Sequence, residues 1–340
     1  MPQQGSAPYL IAVIVTPRFN LAATTGFLDP LRVANYLNGS ALFRWSIHAV
    51  DPGPVEASSG LSLAAAPLSQ IPDRPDLVMI SSSWTPEDYG SELLLARLRR
   101  WARMGAMLGG LDTGAFLLAK AGLLEGQRAT VHYEHLDAFI ELFPDVEATE
   151  ELFVLDRARL TCCGGSAATD LALHLLRSLH GDGLANAAAR YVFHESLRPE
   201  GTLQFPQRVE PLGSTAPSAL RQAIRLMEAN LETPVAIPKI CAGVGLSQRQ
   251  LERLFSTYVR KSPQLYYRDI RLDRARGLVT QTELRLSEIA YACGFSSPMH
   301  FSRSYRERFG LPPSKDRVQG RIPFEFRAWP MHRGAPDDGE

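Results

Sequence analysis

An α/β domain with a parallel, flavodoxin-like sheet, followed by an all-α domain with two helix-turn-helix units, is the fold class this sequence predicts. Three observations carry the prediction. Short apolar runs alternate with helical patterns from residue 9 to about residue 179, a Pro- and Gly-rich stretch interrupts the chain near residue 200, and a helix-glycine-helix pattern then occurs twice.

The runs "YLIAVIV" (9–15), "RWSIHAV" (44–50), "DLVMISS" (76–82) and "MLGGLD" (107–112) read as strands, mostly apolar as buried strands are. Between them "LAATTGFLDPLRVANYL" (21–37) and "LLLARLRRWARMG" (93–105) read as helices. Sheets of this kind bind ligands beyond the carboxyl ends of their strands, so residues 16–20, residues 81–85 and Asp112 converge on one rim. Around Asp112 the pattern Gly110-x-Asp112-x-Gly114 describes a strand-turn-helix elbow, with a helix expected over 115–121. Glycines at these positions permit a tight backbone that presents the central side chain at a helix N-terminus.

The stretch "RPEGTLQFPQRVEPLGSTAP" (198–217) holds four Pro and two Gly, which break helix propagation repeatedly. It predicts an N-terminal domain over 1–200, a linker over 201–217, a helical domain over 218–320 and a tail over 321–340. In the helical part "ICAGVGLSQRQLERLF" (240–255) aligns with "IAYACGFSSPMHFSRSY" (289–305), a one-residue insertion in the second copy bringing Leu251/Phe301, Arg253/Arg303 and Phe255/Tyr305 into register. Gly245 and Gly294 suit a positive φ at a helix end, and Ser247 and Ser296 suit N-caps. Between the copies, residues 262–282 read as one long helix with Leu265, Ile270, Leu272, Ala275 and Leu278 on its buried side. A rigid connecting helix can place two recognition helices about 34 Å apart, one turn of DNA. In the first copy Leu251, Leu254 and Phe255 are expected in the core, leaving Gln248, Arg249, Gln250, Glu252 and Arg253 outward as candidate DNA contacts. In the second, Phe301 and Tyr305 are expected in the core, with Pro298 in the first turn and Met299, His300, Ser302, Arg303 and Arg306 as the corresponding candidates.

Charge supports the same division. The net formal charge is zero, yet residues 214–320 hold 17 Lys and Arg against 9 Asp and Glu, and the remainder holds 19 against 27. A basic part favours a nucleic-acid partner, although a solvated charged surface also has this composition. No run of about 18 apolar residues and no cationic segment ahead of residues 9–15 occurs, which leads to the expectation of a cytoplasmic protein with neither membrane span nor signal peptide. Cys162, Cys163, Cys241 and Cys293 lack metal spacing and read as reduced structural thiols, so no metal site or cofactor is expected.

The segment "LSEIAYACGFSSPMHFSRSYRERFGLPPSKDR", within residues 218–318, resembles the DNA-binding domain of the AraC/XylS transcription regulators. The segments "GFLDPLRVAN" (26–35), "GLDTGAFLLAKAGLLEGQRATVHY" (110–133), "FPDVEATEELFVLD" (143–156) and "LTCCGGSAATDLALHLL" (160–176) resemble the class I glutamine-amidotransferase-like domain of the PfpI type, which precedes AraC-type domains in the GlxA-like regulators. Several of these stretches, with "SSGLSL" (58–63), look most like regulators of glycine betaine and carnitine catabolism. The resemblance implies a ligand-responsive regulator, an activator of a catabolic operon. It also implies promoter DNA, RNA polymerase, a small-molecule effector and a second copy of the chain as partners, the N-terminal domain sensing and dimerising. In similar AraC-type helices the positions matching Arg249, Glu252 and Arg253 approach base edges.

In catalytic PfpI relatives the elbow carries a Cys assisted by a His, whereas here Asp112 takes the Cys position and His132 lies in "VHY". A carboxylate nucleophile is chemically conceivable, so a hydrolase or amidotransferase-like enzyme is the alternative to a regulator. No second acid to activate water is evident, and the expectation is that the protein is not an enzyme. As a sensor, the elbow offers Asp112 and Thr113 to a ligand. Phe19, Trp84 and Tyr133 would provide aromatic faces for a quaternary ammonium, and His132 and Asp29 complete the candidate ligand residues. Structural alternatives stand beside each: Asp112 capping its helix, Phe19 and Trp84 in the core, His132 as a hydrogen-bonded structural residue, and Asp29 as a cap or salt-bridge partner.

Overall fold

A computed structural model describes residues 7–204 and 216–319. The chain forms two compact units, divided between Gln204 and Phe205. Part of the expected linker, and the whole of the expected tail over 321–340, lies outside the described residues.

In the first unit the elements run β1 (Tyr9–Val15), α1 (Leu21–Asn38), β2 (Phe43–Ala49), β3 (Gly53–Glu56), β4 (Ser62–Pro67), β5 (Leu77–Ser82), α2 (Glu92–Arg103), β6 (Met107–Asp112), α3 (Gly114–Lys120), β7 (Arg128–Ala129), α4 (Tyr133–Leu142), β8 (Glu147–Ala148), β9 (Phe153–Asp156), β10 (Arg159–Cys162), α5 (Ala167–His180) and α6 (Asp182–Tyr191). Eight of the strands form one sheet in the order β3-β4-β2-β1-β5-β6-β10-β9. Its six central strands, β4 to β10, are parallel, and β3 and β9 close the two edges antiparallel. β1 is apolar throughout because both its faces are covered: Ile11, Val13 and Val15 join α1 and α5 in one core, while Ala12 and Ile14 are buried toward the other side. The α/β fold predicted from the alternating runs is the fold observed.

The second unit consists of α7 (Ser218–Glu228), α8 (Ile237–Gly243), α9 (Gln248–Leu254), α10 (Pro263–Gln281), α11 (Leu286–Ala292), α12 (Pro298–Phe309) and α13 (Pro313–Gln319). α8 and α9, and again α11 and α12, form helix-turn-helix pairs, with Gly245 and Gly294 at φ 68° and 71° in their turns, as expected. Ser247 caps α9 in a capping box with Gln250, whose side chain accepts from the Ser247 backbone N–H at 2.8 Å. In the second pair the cap is Ser297, accepting from His300 N at 3.2 Å, and not the expected Ser296. The extra residue of the second copy lies between the glycine turn and the helix and moves the cap along by one.

α10 occupies the expected span. Tyr266, Tyr267, Asp269, Leu272, Ala275, Leu278 and Val279 are its buried face, while Leu265, expected on that face, is 37% exposed and Ile270 is half-buried. The period expected from aliphatic residues alone omitted the two tyrosines, which take the first-turn core positions. Tyr267 Oη donates to Asn230 O at 2.6 Å and accepts from Val235 N at 3.2 Å. Arg271 places its guanidinium 4.8 Å from the Phe295 ring centre and donates to Gly294 O at 2.9 Å. One helix therefore grips the loop before the first pair and the turn of the second. A Cβ at Gly294 would lie 2.5 Å from Leu231 O and from Pro234 Cγ, so the second turn packs directly on the first pair's loop.

A buried ionic cluster fixes α12 and α13 to α10. Asp316, 1% exposed, accepts from Tyr305 Oη at 2.6 Å and from Arg276 Nη2 at 3.2 Å. Arg308 pairs with Asp269 at 2.9 Å and with Asp273 at 2.6 Å, and Lys261 also reaches Asp269 at 2.6 Å.

Candidate functional sites: the elbow and the helix-turn-helix surfaces

β6 ends at Asp112 with φ 60°, a left-handed conformation rare for a side-chain-bearing residue, and α3 starts two residues later. The glycines around it are required by close approach: a Cβ at Gly110 would lie 2.5 Å from Ala115 N, and one at Gly114 would lie 2.2 Å from Ile80 O. The elbow expected from the spacing is therefore present, with its helix one residue earlier than expected.

Asp112 does not cap α3; Thr113 holds the N-cap position without a side-chain bond to the helix, its hydroxyl donating instead to Ser83 O. The Asp112 carboxylate instead faces α1, accepting from Asn20 Nδ2 at 2.7 Å and from Ser83 Oγ at 3.4 Å. Gly164, following β10, closes the other side, since a Cβ there would stand 3.0 Å from Asp112 Cβ. The Asp112 carbonyl accepts from His132 N at 3.3 Å. Asp112 is 3% exposed, and this burial pushes its carboxyl up to about 7, against the opposing pull of the Asn20 and Ser83 hydrogen bonds and with a further rise from Glu134. Burial carries His132 down to about 4 and His135 to about 3, so both imidazoles are neutral near pH 7. Cys162 is also pushed up by burial, with Cys163 adding to the rise.

The structure brings Asp112, Thr113 and His132 together, with Trp84 directly after Ser83 in the loop leaving β5. His132 caps α4 through Nδ1, which accepts from Glu134 N at 3.4 Å, and its ring lies 4.4 Å from that of Tyr133, itself 37% exposed. Two expected ligand residues fall elsewhere. Phe19 is 0% exposed within the main core, where its ring has no face for a ligand. Asp29 sits in the middle of α1 and pairs with Arg32 at 2.6 Å, about two helical turns from the elbow end of that helix. Asn20, Ser83 and Gly164 complete the elbow without having been singled out in the sequence. Asn20 and Ser83 nevertheless lie within the strand-end segments 16–20 and 81–85, and the N-cap pattern before α1 was the signal for Asn20.

Leu251 of α9 and Phe255 just after it are buried and Arg249, Glu252 and Arg253 are exposed, as the helical period required, while Leu254, also expected in the core, is half-buried against it. Gln250 spends its side-chain oxygen on the capping box, and Gln248 Nε2 donates to Glu252 Oε1 at 3.0 Å, so neither is as free for base recognition as expected. On α12, Phe301 and Tyr305 are buried, Met299 is 83% exposed, and Ser302 is half-buried. His300 leans on Phe295 at 5.8 Å between ring centres. Arg303 pairs with Glu307 at 3.0 Å, while Arg306 is exposed.

An α/β unit with an Asp at its strand-turn-helix elbow, followed by two helix-turn-helix pairs joined by one connecting helix, is the architecture of a DNA-binding transcription regulator. The "Helix-turn-helix domain" family matches residues 240–319. The HTH-type transcriptional regulator CdhR of Pseudomonas aeruginosa is 38% identical over 305 residues, 90% of each chain. A crystal structure of an AraC family transcriptional regulator from Pseudomonas putida superposes with a TM-score of 0.52 at 32% identity, covering 54% of this chain and all of that one. A ThiJ/PfpI family protein from Pseudomonas syringae shares the fold with a TM-score of 0.51 at 22% identity, covering 72% of this chain and 96% of that one. The chain belongs to the AraC-type transcription regulators of the GlxA-like group, with a PfpI-like N-terminal domain. Among the described residues no helix is long and apolar enough to cross a membrane, and no group of three or more His, Cys, Asp or Glu is placed to hold a metal.

Proposed function

We propose that this regulator is a cytoplasmic activator of a catabolic operon. Its N-terminal domain senses a small amine or amino-acid-like ligand at the Asp112 elbow, a quaternary amine such as glycine betaine or carnitine being the favoured class. The observation that carries the reading is the Asp112 carboxyl, set at the strand-end elbow by a left-handed turn and held between Asn20 and Ser83. A cation brought beside such a group favours its ionised form, so binding of an amine would release a proton and displace Asn20 or Ser83 from the carboxylate. Trp84 and Tyr133 are the aromatic residues near enough in sequence and fold to contribute cation–π contacts, worth about 2 kcal/mol when desolvated. The elbow serves binding and not catalysis in this reading, because its carboxyl is held by the Asn20 and Ser83 hydrogen bonds and the similar full-length proteins are named as transcriptional regulators. Thermal-shift titration of the full chain with glycine betaine, carnitine and free amino acids tests it. A rise in melting temperature with an amine is expected, and none with a neutral isostere; no shift with any amine contradicts the reading.

On the DNA side, Arg249 and Arg253 of α9 are proposed to reach base edges, with Glu252 beside them. The α12 set, Met299, His300, Ser302, Arg303 and Arg306, is proposed to hold phosphates and the groove wall. Replacing Arg249 or Arg253 by Ala is expected to relax the preference at particular base pairs by about 1–3 kcal/mol. Binding to a library of operator variants measures this, and uniform weakening across all sequences would reassign both residues to phosphates.

One chain supplies two helix-turn-helix pairs, enough for one bipartite half-site. A homodimer formed through the N-terminal domain, covering two repeated half-sites and engaging RNA polymerase, is the proposed active form. Sedimentation of the full chain at micromolar concentration is expected to show a dimer; a monomer both with and without ligand contradicts it.

A further inference from the structure

We infer that residues 201–204, the first four of the expected linker and still part of the first compact unit, form the element that transmits the state of the elbow toward the DNA-binding domain, with Gln204 as its positioning residue. The inference rests on the elbow being the sensing site. The segment is stitched to the first unit as an added extended strand: Leu152 N donates to Thr202 O at 2.8 Å, Gln204 N donates to Glu150 O at 2.8 Å, and Leu203 bridges Glu151 antiparallel. The Glu151 carboxylate, also paired with Arg128, accepts from Gly201 N at 3.1 Å.

This strap is linked to both walls of the elbow through short chains of hydrogen bonds. On one side the Gln204 amide donates to Val131 O at 2.8 Å and to Thr130 Oγ1 at 3.0 Å. The next residue, His132, donates its backbone N–H to the Asp112 carbonyl. On the other side Leu152 O accepts from Cys163 N at 2.9 Å, and Gly164, next in the chain, lies against the Asp112 side chain. A ligand that moves Asp112 therefore displaces residues 130–132 or 163–164. Each displacement reaches residues 201–204 through hydrogen bonds that either follow or break. Carbonyl acceptors from Val131 and Glu151 fix which end of the Gln204 amide faces them, because only its NH2 can donate. Coupling by such a chain is a free energy shared between two sites, and removing one link should lower it without abolishing binding at either end.

The test uses the full chain, wild type and Gln204→Met, which keeps length and volume but has no donor. Melting temperature with and without glycine betaine reports the sensing site, and anisotropy on an operator selected from random DNA reports the other end. The expected result is that Gln204→Met keeps the ligand-induced thermal shift and the ligand-free operator affinity, while the ligand-dependent change in operator affinity falls at least fivefold. A Gln204→Met protein that retains both the thermal shift and the full change in operator affinity overturns the inference. If wild type shows no thermal shift, the sensing reading itself has failed, and the strap is judged by amide hydrogen exchange in Asp112→Asn against wild type. Altered exchange at Leu152 and Gln204 then supports transmission from the elbow, and unaltered exchange overturns it. The same exchange comparison decides the matter should Gln204→Met not fold.

Discussion

Asp316→Ala is expected to destabilise the DNA-binding domain by about 3–5 kcal/mol, because it leaves a buried guanidinium without its counter-charge. Arg276 is 7% exposed and has the Asp316 carboxylate as its ionic partner, and Tyr305 Oη loses its acceptor in the same step. Asp316 belongs to α13, and the two residues it binds belong to α10 and α12, so the change loosens the helix pair that carries the second proposed DNA-facing surface. Urea unfolding of the full chain, followed by a probe in this domain, measures the loss, and operator affinity should fall with it. Tyr305→Phe is the control. It removes one hydroxyl and should cost only about 0.5–1.5 kcal/mol. Equal stabilities for Asp316→Ala and wild type would mean that the cluster contributes charge matching without stability.

Asp112→Asn is expected to weaken amine binding tenfold to a hundredfold, the loss of a charge-assisted contact worth roughly 1.5–3 kcal/mol. It should leave operator binding by the separate helical domain unchanged, since that domain lies beyond the linker. It also has a signature in stability. The folded domain holds the Asp112 proton more tightly than the unfolded chain, about 7 against 3.8. The contribution of this group is therefore most favourable at low pH and is lost as the pH rises from about 4 through 7. Asparagine cannot titrate, so the variant should gain on wild type progressively across that window and keep the gain at pH 8. His132 and His135, held neutral by burial, give the opposite slope as the pH falls below 6.5 in both proteins, and the difference between variant and wild type removes them. Melting temperatures at pH 5 and pH 8 are sufficient. A difference that does not change between the two would place Asp112 outside the titrating centre.

The parts of this architecture legible in the sequence are those set by local period and turn chemistry. Unbroken apolar runs marked β1 and β5 because both faces of the sheet are covered, and Gly110 and Gly114 marked the elbow because no side chain fits where the backbone passes Ala115 and Ile80. The α9 and α12 faces followed from helical spacing, with Leu251, Phe255, Phe301 and Tyr305 inside. What was not legible depends on residues far apart in the chain. Asn20 reaches Asp112 across 92 positions, and nothing in its neighbourhood shows that its amide, beyond capping α1, turns to a carboxylate on β6. Phe19 misled for a related reason: its position after β1 suggested the rim, but Arg18 bonds to Glu56 and Ser58 to Phe19, which folds the aromatic ring inward. The edge strands β3 and β9 escaped because an edge needs only a few residues and one covered face.

In the proposed regulator a ligand at the Asp112 elbow controls DNA binding by the helix-turn-helix domain. The most direct measurement is the operator affinity of the intact protein, by fluorescence anisotropy at fixed salt, as an amine is titrated in. The amine is expected to change wild-type affinity at least tenfold, and to change that of Asp112→Asn only at amine concentrations tenfold to a hundredfold higher. An amine that alters operator affinity equally in both proteins over the same concentrations would contradict it, and would place the sensing site away from the elbow.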